Sequence, residues 1–151
     1  MTNRRTVVIG YGNPLRQDDG IGWRAAELLE QALPAGSAEI IQCHQLTGEL
    51  AANLEDAAMV IFLDAACDQK PGEISSAPVY AEGAVVWSHY LSPGQLLSLG
   101  EQSGGKAPPA ILIRGGIEHM DFCEGLTEFG EKTASQMADL ARECVRGAVM
   151  V

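Results

Sequence analysis

Apolar residues along this chain fall into short runs separated by glycine-rich or polar stretches, and the period of each run predicts an element. Thr6 to Ile9 form a β-branched run ending at Gly10, the pattern of a strand buried on both faces. After the stretch GYGNPLRQDDGIG, residues Ile21, Ala25, Leu28, Leu29, Ala32 and Leu33 recur at helical spacing, and Pro34 closes that helix. EIIQC, Glu39 to Cys43, predicts a second strand. Thr47 is placed to cap a short helix through Leu50 and Leu54. MVIFL, Met59 to Leu63, predicts a third strand, with Asp64 at its end. Ile74 to Tyr80 predicts a strand near a sheet edge, where Pro78 is tolerated. AVVW, Ala84 to Trp87, is a further apolar run, and His89 lies just past it.

Ser92-Pro93-x-Gln95 reads as a capping box with proline at the first helical position. AILI, Ala110 to Ile113, predicts a strand ending at Arg114-Gly115-Gly116. From about Thr127 a long helix runs toward Arg146, with Phe129, Met137, Leu140, Ala141, Cys144 and Val145 as its buried stripe. Strands alternating with helices predict an α/β fold: one domain over 1–151, a three-layer α/β/α sandwich with a largely parallel central sheet, phosphorylase/hydrolase-like in outline. No repeat, linker or low-complexity segment interrupts it.

Composition narrows the function classes. A chain of 151 residues suits one compact domain. Its formal net charge of −10 opposes a nucleic-acid binder, which would show a basic face. Cys43, Cys67, Cys123 and Cys144 form no Cys-x-x-Cys pair and read as thiols of a reducing compartment. The opening MTNRRTVVIG lacks the apolar core of a signal peptide, and no apolar run approaches the ~18 residues of a membrane span. The expectation is a cytoplasmic protein with no membrane partner. No amphipathic segment lacks an intramolecular use, so a monomer is expected.

In open α/β sheets, ligands bind beyond the carboxyl ends of the strands. Asp18 and Asp19 follow the first strand across the glycine loop, Asp64 follows the third, and His89 follows AVVW. Either Asp18 or Asp19 can instead cap the next helix. Two carboxylates and an imidazole suit a divalent transition metal with open positions, although no compact metal motif is present. Glu49 is a further acid that either faces the crevice or starts a helix in solvent. Gly10-Tyr11-Gly12-Asn13-Pro14-Leu15 begins like the dinucleotide fingerprint but puts Leu15 where the third glycine belongs. Its glycines are better explained by a sharp turn carrying Asp19 back over the strand ends.

The run VVIGYGNPLRQDDGIGWRAAELLE resembles the opening of the hydrogenase maturation proteases, where G-x-G-N-x-L-x-x-D-[DE]-x-x-G follows the first strand. CHQLTGEL, VIFLDA, SHYLSPGQLL and RGGIEHMDFCEGLTEFGEKTASQM resemble later segments of the same family, so the likeness covers nearly the whole chain. The resemblance implies an endopeptidase that removes a short C-terminal extension from the large subunit of a [NiFe] hydrogenase after nickel insertion. It implies that nickel already in the precursor is recognised by the acids at Asp19 and Asp64 and by a histidine, while the free enzyme need carry no metal. Two departures stand out. Asp19 replaces the glutamate of other members, and Ser92-Pro93-Gly94-Gln95-Leu96 lacks the histidine some members carry there. His89, in S-H-x-L-S-P, takes that role, with His119 as the fallback and His44 behind it.

Two other readings compete. Peptidyl-tRNA hydrolase also opens with a strand and G-x-G-N-P, but its catalytic Asn and His lack counterparts here and the acidic charge opposes tRNA. A non-catalytic nickel- or precursor-binding chaperone of the same fold is the alternative from another class.

Overall fold

The computed structural model describes residues 5–83, 90–102, 105–118 and 125–147. Five strands form one sheet: β1 (Arg5–Tyr11), β2 (Glu39–Cys43), β3 (Ala57–Ala66), β4 (Ile74–Val79) and β5 (Ala110–Gly116). Their spatial order is β2-β1-β3-β5-β4. The first four in that order run parallel, and β4 pairs antiparallel with β5 at the edge. Pro78 sits in β4, on an edge strand that can lack one donor, as its sequence predicts.

Three α-helices join them: α1 (Ile21–Ala32), α2 (Pro93–Gln102) and α3 (Glu128–Gly147). Helices α1 and α3 cover one face. There Ile21, Ala25, Leu29, Met137 and Ala141 pack on Val8, Ile61, Leu63 and Ile113. On the other face, Leu96 and Leu97 of α2 and Leu50 and Leu54 of a 3-10 segment (Gly48–Leu54) pack on Val7, Ile9, Val60 and Phe62. This is the expected three-layer arrangement. Each fully buried Leu, Ile or Phe stabilises it by ~1.5–3 kcal/mol.

Local signals account for several boundaries. Leu33 turns extended (φ −93°, ψ 147°) because a residue before proline is disfavoured in the α region, so α1 stops at Ala32. At the start of α2 the capping box forms in full: Ser92 Oγ accepts from Gln95 N at 3.1 Å, and Gln95 Oε1 accepts from Ser92 N at 2.9 Å.

Four expectations need correction. β3 does not end before Asp64 but continues to Ala66, because β5 supplies partners as far as Gly116. Thr47 precedes a 3-10 segment rather than an α-helix and makes no side-chain cap; its hydroxyl donates to Glu49 Oε1 instead, at 3.3 Å. Phe129 is not in the buried stripe of α3 but 44% exposed. The buried positions there begin at Gly130 and continue through Thr133, Ala134, Met137, Ala138, Ala141 and Cys144. Asp18 caps no adjacent helix, as detailed below. The AVVW run and His89 lie outside the described residues, as does His119.

No helix among the described residues is long and apolar enough to cross a membrane.

Candidate functional site

The glycine loop builds the site. Gly10 faces α1, where a Cβ would strike the Gly22 carbonyl oxygen and come within 2.6 Å of Ala26 Cβ. Gly22 returns the fit: its own Cβ would press on the Leu63 carbonyl and approach Tyr11 O to 2.7 Å. The pair lets the first turn of α1 lie directly on the ends of β1 and β3. Gly12 holds φ +143°, closed to most L side chains, and a Cβ there would collide with the Asp19 carbonyl. Gly12 N donates to the carbonyls of Cys43 and His44 (3.2 and 3.1 Å), tying the loop to the end of β2. The chain then reverses through an Asx turn, in which Asn13 Oδ1 accepts from Leu15 N at 2.9 Å, and through Gln17 at φ +48°. Asn13 N donates to Asp19 Oδ2 at 2.9 Å, so the loop grips the acid it delivers.

The two adjacent aspartates divide their work. Asp18 is fully buried and faces α3, not α1. Its carboxylate accepts from Thr127 N at 3.0 Å and from the Thr127 hydroxyl at 2.8 Å. Thr127 Oγ1 in turn accepts from Gly130 N at 3.0 Å, the N-cap bond of α3. Gly130 leaves room for this, since any Cβ there would overlap the Asp18 carboxylate. Asp18 is therefore a long-range structural anion at a helix N-terminus. The crevice is left to Asp19.

Strand register brings together a row of side chains on the α2 face at the carboxyl edge. Tyr11 pairs with Cys43, Gly10 with Leu63, and Asp64 with Arg114, so Cys43, Tyr11, Asp64 and Arg114 stand side by side across β2, β1, β3 and β5. Ala65 N donates to Asp64 Oδ1 at 2.8 Å, and the Tyr11 hydroxyl stands beside the same carboxylate and favours its charged form. Burial, with a smaller push from the negative charge of Asp19, lifts the Asp64 carboxyl to about 6 against the Ala65 N–H, Tyr11 and Arg114, which favour the charged form. Asp19 is thus close enough to act on Asp64 through its field. Burial and the Asp64 charge push the Tyr11 phenol upward, so it keeps its proton and is able to donate. Burial also pushes the Cys43 thiol up to about 11. Arg114 is held by an ion pair with the exposed Asp68, Nη2 to Oδ1 at 3.1 Å.

Asp19 thus lies within electrostatic range of Asp64, and His89 and His119 lie outside the described residues. The His44 ring packs on Trp23 of α1, centroids 5.4 Å apart. Glu49 is a solvated acid beside a cleft of about 390 Å³ that also touches Cys43, His44 and Tyr90. Among the described residues, no three of His, Cys, Asp and Glu are grouped to hold a metal ion by themselves. Sequence reasoning missed Tyr11 and Arg114 as neighbours of Asp64. The available signal was parity: Val7, Ile9 and Tyr11 alternate onto one face, as do Phe62 and Asp64.

No family model and no curated protein matches the sequence. Solved structures do match along nearly its full length. A [NiFe] hydrogenase maturation protease, HycI from Thermococcus kodakarensis KOD1, is similar at 25% identity and a TM-score of 0.75, covering 94% of this chain and 92% of its own. The hydrogenase 2 maturation peptidase from Thaumarchaeota archaeon SCGC_AB-539-E09 is similar at 25% identity, TM-score 0.72, with 94% and 98% covered. The hydrogenase maturating endopeptidase HybD from E. coli shares the fold at 23% identity, TM-score 0.74, with 96% and 94% covered. The resemblance carried by the glycine loop thus extends to the whole tertiary structure.

Proposed function

We propose that this chain is an endopeptidase that removes the C-terminal extension of a [NiFe] hydrogenase large-subunit precursor after nickel insertion, and that it recognises the nickel its substrate carries. One observation carries the reading. In a chain with the fold of solved maturation proteases, a largely buried carboxylate, Asp64, stands at the carboxyl edge of the sheet within the field of Asp19. A carboxylate so desolvated gains from an arriving cation.

The nickel is part of the substrate. Asp19 and Asp64 offer it carboxylate oxygens, and His89 is the proposed imidazole donor, with His119 as the fallback; this set suits a divalent first-row ion. Binding there holds the scissile peptide beside the crevice. Water then adds to the peptide carbonyl carbon, the C–N bond breaks, and the leaving amine takes a proton. Either the metal polarises the carbonyl or a carboxylate accepts the water's proton. Water is the better nucleophile in this reading, because burial keeps the Cys43 thiol protonated. The same reading puts a monomeric enzyme in the cytoplasm.

The test is to incubate the protein with candidate large-subunit precursors, with and without nickel, and weigh the products. Loss of the extension from the nickel-loaded precursor alone is expected, and Asp19→Ala and Asp64→Ala should remain folded but fail to process it. Full processing by both variants overturns the site. Nickel-dependent binding with no cleavage of any precursor overturns the peptidase reading in favour of a non-catalytic chaperone.

A further inference from the structure

We infer that Tyr11 is a positioning residue for Asp64, its hydroxyl and the Ala65 N–H together fixing the carboxylate in one orientation for the incoming cation. The inference rests on the proposed role of Asp64.

The geometry begins in the sheet. The last β1–β3 pair is Gly10 with Leu63, so Tyr11 is the first β1 side chain beyond it, level with Asp64 on the neighbouring strand and the same face. Its hydroxyl stands beside the Asp64 carboxylate and favours the charged form, while Ala65 N donates to Asp64 Oδ1 at 2.8 Å. An ionised carboxylate has about four lone-pair sites, so two donors orient it and still leave acceptor capacity for a metal. Hydrogen bonds to a ligating group from outside the coordination sphere commonly set its orientation and strength.

Tyr11 is itself held firmly. On one side Gly12 N is bonded to the carbonyls of Cys43 and His44. On the other, Gly22 lies so close that a Cβ there would meet Tyr11 O at 2.7 Å. A tyrosine with its backbone pinned by β2 and α1 delivers its hydroxyl to a constant place. The other polar neighbours in the row do not offer this. Arg114 is engaged by Asp68, and the Cys43 thiol is a weak donor one strand further away.

The experiment measures affinity for nickel-loaded and nickel-free precursor by four proteins: the wild type, Tyr11→Phe, Asp64→Ala and the double variant. Phe keeps the ring and its packing and removes only the hydroxyl. Wild type should prefer the nickel-loaded precursor, and Tyr11→Phe should cut that preference by about tenfold or more. Its affinity for nickel-free precursor should be unchanged, which also checks that the variant is folded. In the Asp64→Ala background the Tyr11→Phe change should have no further effect. If Tyr11→Phe keeps the full nickel preference, or the two substitutions weaken it independently, Tyr11 does not act through Asp64 and the inference is overturned alone. If wild type shows no nickel preference and Asp64→Ala changes nothing, the proposed role of Asp64 falls and takes the inference with it.

Discussion

Replacing Asp64 by Asn should stabilise the protein at neutral pH while abolishing its processing activity. Burial lifts the Asp64 carboxyl from 3.8 to about 6, so the native state holds a proton that the unfolded chain releases between those values. Where the native state binds more protons, stability falls as pH rises. The loss is absent below pH 3.8, accumulates through the window up to pH 6 and is complete above it. A displacement of this size corresponds to about 3 kcal/mol, an upper figure because a buried site relaxes around its charge. Asn is nearly isosteric, cannot ionise, and still offers one oxygen to the Ala65 N–H. Thermal and urea unfolding of wild type and Asp64→Asn should therefore coincide near pH 3.5. At pH 7.5 the variant should melt higher by roughly 6–12 °C, taking ~2–4 °C per kcal/mol for a chain of this size. Equal midpoints at pH 7.5 would refute the reasoning, and so would a gap of the same size at both pH values, which would trace to packing instead of charge. A gain in stability coupled to a loss of activity is expected where a fold maintains an unfavourable charge for function.

The remaining predictions separate support from chemistry. Asp18→Ala removes the acceptor for both the amide and the hydroxyl of Thr127 and should cost about 2–4 kcal/mol in urea unfolding, with processing per folded molecule retained. Asp19→Ala should show the reverse, a small change in stability and no processing. Gly12→Ala drives a Cβ into the Asp19 carbonyl at a backbone angle alanine avoids, so processing should fall and the thermal midpoint should drop by several degrees. Ser92→Ala breaks the capping box of α2 and should cost about 1 kcal/mol in the same unfolding assay.

The chain's local patterns determined most of the elements. The β-branched run of β1, the apolar MVIFL of β3, the Leu33-Pro34 stop of α1 and the Ser92–Gln95 capping box are each written in a few adjacent residues, and all appear where they were expected. The glycine loop after β1 also announced a turn that returns Asp19 to the strand ends, because Gly10 and Gly12, with one residue between them, read as a sharp turn from sequence alone. Which aspartate does what was decided only in three dimensions. Asp18 and Asp19 are equivalent as neighbours in a loop, and they part because α3, more than a hundred residues later, brings Thr127 and Gly130 against one of them. Asp64 followed the same rule: its place in the row between Tyr11 and Arg114 is set by strand register, a property of pairs of segments. Phe129 kept its helical spacing yet stayed exposed, since which residues of a helix are buried depends on what packs there. Periodicity and caps report contacts made within a few residues. Hydrogen bonds and charges shared between strands or with a distant helix depend on the packing of the whole chain, and that packing sets Tyr11 beside Asp64.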